Sequence, residues 1–395
     1  MNASKVEKFG SILIAISSVI ISMVLLWSVH DYFGKFTDFP EYYAAAKMIL
    51  VGKGESVYAL NEMVHTQQNL FPALGKRFTP IYLPPPSLIL FIPIALIGLP
   101  LAVYVWKLLL ITCLAGSIIL LVRTFSLNYK STCYLIAGLT LCHASFEMLR
   151  IDQIGAILLL ALSAALYFLQ KNKDIKAGLS LSLMIMKPQF VLPFLVYLIG
   201  LQRWRPVTIF FIVGIVLTAC SYLIMGQTGF SNYFALLRAP ESASFMQPEL
   251  MPTLRGQLLR ICPNLSNVIF YVAALVFAAV TYCSWFCGDD NRQNAKAVLW
   301  AFLVTIPLTF ITSLHCHSYD LLLLAPSIII IFTDAVIRFS QSFKLIMIIG
   351  GLVFMIPIAI FIHYFYLLQG GPINIWFIEL LIMESSIITR LIRLK

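Results

Sequence analysis

Two carboxylates, Asp38 and Glu41, stand in "TDFPEYYAAAKMILVGKGESVY", just past the first long apolar run of a chain with only 17 acidic residues among 395. A carboxylate beside an apolar segment can take a proton from an attacking hydroxyl. A second one three residues on can orient it or raise its pKa through like charge. The plainer alternative is that Asp38 caps the helix opening at Phe39-Pro40. Cations suited to an anion occur elsewhere. Lys187 in "SLMIMKPQFVLPFL" lies mid-run before Pro188, where the helix must break. An unpaired ammonium in hydrocarbon costs at least about 3 kcal/mol on insertion scales, so Lys187 needs an anion, and a phosphate fits; the alternative is snorkelling to the interface. Arg255 in "MPTLRGQLLRICP" can fork a phosphate or a lipid headgroup. "SLHCHSYDLLLLAP" places His315, His317 and Asp320 at a turn between helices. Two histidines at i, i+2 with one carboxylate form a thin metal ligand set, so hydrogen bonding of His317 to phosphate or sugar is expected and no cofactor, with a metal at this turn as the alternative. In "LRIDQIGAILLLAL", Gln153 offers an amide to a sugar hydroxyl while Arg150 and Asp152 read as a local ion pair. Tyr82 is held at the interface by the prolines of "RFTPIYLPPPSL", where Arg77 is a further cation.

These residues need a scaffold, and the composition specifies its class. Hydrophobic residues make up 60% and charged residues 11%, with a mean hydropathy of +0.92; a soluble domain is nearer one quarter charged. Unbroken apolar runs rather than alternating ones satisfy their backbone in lipid as helices. The expectation is an all-α multi-pass integral membrane protein with about ten to thirteen membrane helical segments. It forms a single integral domain over 1–395, with a first extracytoplasmic loop at 31–86 carrying interfacial helices and a second at 226–267. "KNKDIK", "LQRWRP", "GDDNRQNAK", "RFSQSFK" and the tail "RLIRLK" read as cytoplasmic. "RTFSLNYK" (Arg123–Lys130) is equally basic, yet falls outside if both 86–98 and 101–122 cross; the short, proline-flanked 86–98 segment could instead be re-entrant or half-spanning, and the sequence leaves the side of this loop open. The charge of +10 is spread over such loops with no basic stripe, which argues against nucleic acid. Cys283 and Cys287 of "CSWFC" read as packing. Once sides are assigned, the chemistry-bearing residues collect on the extracytoplasmic face.

The ordered set "TDFPEYYAAAKMILVGKGESVY", "YLPPPSLILFIPIALIGLPLAVYVWKLL", "DQIGAILLLALSAALYF", "AGLSLSLMIMKPQFVLPFLVYLIGLQRWRP" and "HSYDLLLLAP" resembles glycosyltransferase family 87, over roughly residues 10–337. The family usually carries Gly-Gln where this chain has Asp152-Gln153. The resemblance implies a GT-C membrane fold and a polyprenyl-phosphate sugar donor, often the mannose derivative. It also implies an extracytoplasmic lipid or glycan acceptor, membrane lipids as surroundings, and a bacterial inner (plasma) membrane. By that likeness Asp38 matches the essential acidic residue of the first loop. Lys187, Arg255 and His317 are then expected at the donor phosphate, with Glu41, Tyr82, Gln153 and Asp320 in support. A transporter or flippase is the main alternative, and would show paired broken helices in two similar halves. A polysaccharide polymerase or ligase would centre on a large outer loop late in the chain.

Overall fold

Apolar side chains that face outward mark the surface in contact with lipid. Leu13, Ile16 and Met23 of the Ala3–Ser28 helix, Tyr104 and Leu108 of Leu99–Phe125, and Ile215 and Leu223 of Trp204–Arg238 are all exposed. Apolar belts of this extent suit hydrocarbon rather than water. The computed structural model describes residues 3–28, 37–74, 79–238, 250–262, 266–286, 295–336, 338–355, 366–367, 371 and 373–393, and these are helical with no strand among them. Three of the described helices are long and apolar enough to cross a membrane alone. Tyr129–Leu141 and His143–Arg150, bent by 49° at Cys142, make a fourth when taken together. Shorter apolar helices, among them Gly155–Gln170, Lys296–Thr312 and Ser318–Thr333, complete the bundle.

Several contacts fix which ends lie together. Lys130 pairs with Glu7, and Lys8 lies 5.2 Å from the ring of Tyr129. The tight turn at 126–128, with Ser126 left-handed and Asn128 capping Ser131 N at 2.9 Å, is therefore at the same end as the N-terminal helix start. This agrees with the basic character of Arg123–Lys130. It follows because the apolar piece before it, Pro85–Ala95, is short and interrupted by a 3-10 turn at Ile89–Phe91. At about 1.5 Å per residue it reaches only about half the hydrocarbon thickness.

The segment 175–199 is a second departure from a simple crossing. Asp174–Ser182 runs inward, two 3-10 turns (Leu183–Met186 and Pro188–Phe190) reverse it, and Leu192–Gly200 returns. Arg203 then bonds Asp174 and the carbonyl of Leu169 (2.9 Å), so both ends of this hairpin meet. Lys187 is at its tip, in the break expected before Pro188 (φ −138°, ψ 78°). Gly178 allows the inward arm to close on the Trp204–Arg238 helix: a Cβ there would fall 2.7 Å from the carbonyl of Pro206.

Two of the segments read as outer loops contain helix. The Phe39–Leu50 helix is packed inside the protein: Tyr42, Tyr43 and Ala44–Ala46 are buried, with Tyr42 stacked on Phe91 (4.8 Å) and Phe39 packed on Trp106 (6.0 Å). Small alanines and flat rings let this helix fit among its neighbours, so it belongs to the core. Past Gly226 (φ 62°) the chain remains helical to Arg238, where a loop beginning at 226 was expected.

Candidate active site

The turn at 151–153 is where the first outer helix meets the bundle. Asp38 N donates to Ile151 O (2.8 Å), and Gln153 Nε2 donates to the Asp38 carboxylate. Asp38 occupies the N-cap position of Phe39–Leu50, yet its side chain makes no capping bond; the carboxylate is turned to Gln153 instead. The capping alternative is thus not realised. Gln153 serves the carboxylate rather than standing as a lone amide in an apolar wall. Burial, opposed by the Gln153 bond and by the Lys187 charge, pushes Asp38 up to about 6. Glu41, one turn on and buried, is raised well above the usual carboxylate range, by burial first and then by Asp38.

Asp152 accounts for the shape of that turn. Its φ of 61° is left-handed, a region that Asp tolerates better than most residues. Its carbonyl accepts from Trp106 Nε1 (3.0 Å), and its buried carboxylate is held by Lys107 Nζ at 2.6 Å. Arg150 is not its partner, contrary to the local pair read from the sequence: that guanidinium forks Glu147, which an i, i+3 spacing on one helix favours.

The second half of the site forms at the hairpin tip. Lys187 Nζ lies 2.6 Å from Asp320 Oδ1, with both side chains buried, and 4.9 Å from the ring centre of Tyr319. Asp320 Oδ2 accepts from His317 N (3.1 Å). The anion Lys187 requires is therefore supplied by the protein; an ammonium has three protons, and Asp320 takes one. Its charge also reaches Asp38 and Glu41, which joins the two halves. His315 and His317 meet edge to face at 4.8 Å, and Gln189 Nε2 donates to His315 O (3.2 Å). Arg255 Nη1 donates to Leu314 O (3.0 Å), which sets that guanidinium at the same loop. Arg260 by contrast bonds the carbonyls of Leu367 and Gly371, a structural tie.

Asp38, Glu41, Gln153, Lys187, His317 and Asp320 are thus brought to one region, with Arg255 at its rim. Tyr82 packs, half-buried, against the core at the entry to Pro85–Ala95. Arg77 and Cys287 lie outside the described residues. Among the described residues no three His, Cys, Asp or Glu side chains gather as a metal site. Sequence reasoning missed Lys107 and Trp106. Their signal was present, since Lys107 interrupts the apolar run "LAVYVWKLLL".

The model of glycosyltransferase family 87 matches residues 81–313, more than half of the chain. That span contains Tyr82, Gln153, Lys187 and Arg255, while Asp38, His317 and Asp320 lie outside it. No curated protein and no solved structure matches. With a helical membrane architecture and a matched span that supplies both the Asp38 ligand and the buried lysine, the chain belongs to glycosyltransferase family 87, a family of membrane glycosyltransferases.

Proposed function

We propose that the protein transfers a hexose, mannose first among candidates, from a polyprenyl-phosphate donor to a hydroxyl of an extracytoplasmic lipid or glycan acceptor, with inversion. Asp38 takes the proton of the acceptor hydroxyl as its oxygen bonds to the anomeric carbon. The bond from that carbon to the phosphate oxygen breaks, and its electron pair leaves on the lipid phosphate. Lys187, Arg255 and His317 meet the charge of that leaving group. Glu41 and Gln153 set the base, Asp320 holds Lys187, and Tyr82 supports the wall. The single domain is entered at its extracytoplasmic end, opposite the Glu7–Lys130 end.

The observation that carries the lipid-linked donor is an apolar cavity of about 500 Å³. It begins at Leu321, next to Asp320, beside Ala144, Trp376 and Glu379, and runs along Tyr129–Leu141 to Ser131 and Thr333. The 13 residues of that helix span about 20 Å, giving a section of about 25 Å². That admits one hydrocarbon chain at carbon contact distances of about 4 Å.

The test is transfer of radiolabelled sugar from polyprenyl phosphate mannose, glucose or arabinose by the protein in liposomes supplied with envelope lipids and glycans. Label is expected in an acceptor, with a rate that rises with pH through about 6 as Asp38 loses its proton. Absence of transfer from every such donor overturns the reading. One observation favours a transporter instead: Pro85–Ala95 and the 174–200 hairpin are both interrupted segments. Protein-dependent movement of the lipid across the bilayer without sugar transfer would decide for it.

A further inference from the structure

Lys107 and Asp152 are each placed at a local disadvantage, and they are placed together. Lys107 interrupts a helix that is otherwise apolar enough to span the membrane, where an ionised side chain is costly unless it serves something. Asp152 takes a left-handed backbone that glycine would occupy without strain. What the two side chains gain is their 2.6 Å ion pair, with the Asp152 carboxylate almost wholly buried. Thr37, the residue before Asp38, adds a side-chain bond to the same carboxylate. The backbone on either side of Asp152 is committed to Asp38: Ile151 O receives its N–H, and the Gln153 side chain reaches its carboxylate. Trp106, adjacent to Lys107, ties the Asp152 carbonyl to the same helix.

We propose that Lys107 and Asp152 form a positioning pair for Asp38, holding the turn that delivers Gln153 to its carboxylate and fixing the negative charge the carboxylate faces. The inference rests on Asp38 being the base. Around Asp38 stand Glu41 and Tyr42 on its own helix, Arg150, Asp152 and Gln153 at the turn, Lys187 on the hairpin, and Tyr319 and Asp320 beyond it. The Asp152 charge is balanced from the Leu99–Phe125 helix, an element apart from those that carry the other groups, so the pair can be altered while the others stay.

The experiment compares Lys107→Met with Asp152→Gly in the full-length protein in liposomes. The titration of Asp38 is read by infrared carboxyl absorption, each protein being compared with its own Asp38→Asn counterpart. This readout needs no turnover, so it stands even if the transferase reading fails. Lys107→Met leaves the Asp152 charge unbalanced, and Asp38 is expected to titrate at higher pH than in the wild type. Asp152→Gly keeps the turn and removes the charge, and Asp38 is expected to titrate at lower pH. Opposite displacements support the pair. Unchanged Asp38 titration in both variants, with only a lower melting temperature, overturns it and leaves a structural ion pair.

Discussion

Asp38→Asn is expected to lower sugar transfer on the order of 10²–10⁴-fold, the range for removal of a positioned general base, without loss of fold. Asparagine retains an oxygen for the Gln153 amide and the size of the side chain. The sign for stability is opposite to that for activity. Burial raises the Asp38 pKa from 3.8 to about 6, so the folded protein binds this proton more tightly than the unfolded chain does. Between those values folding stability falls as pH rises, and above about 6 the ionised carboxylate is a net burden on the fold. At neutral pH the variant should therefore melt at the same temperature as the wild type or higher. The measurement is initial rate at saturating donor beside a melting curve in the same detergent. A variant that stays active would return Asp38 to the role of a helix-terminal residue; one that is inactive because it is unfolded would show in the melt.

The second large effect concerns the hairpin tip. Lys187→Ala takes from the fully buried Asp320 its counter-ion, and breaking a buried pair from one side costs about 3–5 kcal/mol. Lys187→Met with Asp320→Leu removes both charges and fills similar volume, which is often neutral or stabilising. The double variant is therefore expected to regain the wild-type melting temperature while its transfer rate stays lower by on the order of 10²–10³-fold, as for loss of one group that stabilises developing charge. Recovery of both stability and transfer would mean that Lys187 serves the fold alone. Loss of transfer with a restored fold would place its ammonium at the lipid phosphate.

Much of this was legible in the residue string, for identifiable reasons. Apolar runs and basic loops are strong one-dimensional signals, so the helical class could be read directly, while the side of Arg123–Lys130 stayed open until Lys130 was seen paired with Glu7. The break before Pro188 was equally plain, because proline cannot continue the helix. What could not be read is which partner each charge takes. Lys187 and Asp320 are separated by 133 positions, as Gln153 and Asp38 are by 115, and no local pattern encodes such pairs. The same limit made Arg150 and Asp152 look like partners when each in fact turns to another residue. The "EYYAAA" helix was opaque for a different reason: tyrosine and alanine suit many surroundings, and its burial against Phe91 and Trp106 depends on partners far along the chain.

The cavity beside Asp320 is open at its flank. Tyr134, Ile328, Phe332 and Ile348 line it and also lie on the outer surface of the bundle. On the reading proposed above, the donor's hydrocarbon chain slides in edgeways from the bilayer and withdraws the same way, while the acceptor approaches from the aqueous end. Delivery of the donor is then a two-dimensional problem. Its effective concentration is its mole fraction among lipids, so added inert lipid or detergent slows the reaction even when the amount per millilitre is unchanged. On that same reading the spent carrier stays within the sheet that supplied it and competes with fresh donor for one slot, so turnover in a patch of membrane would depend on how quickly carrier is recharged there.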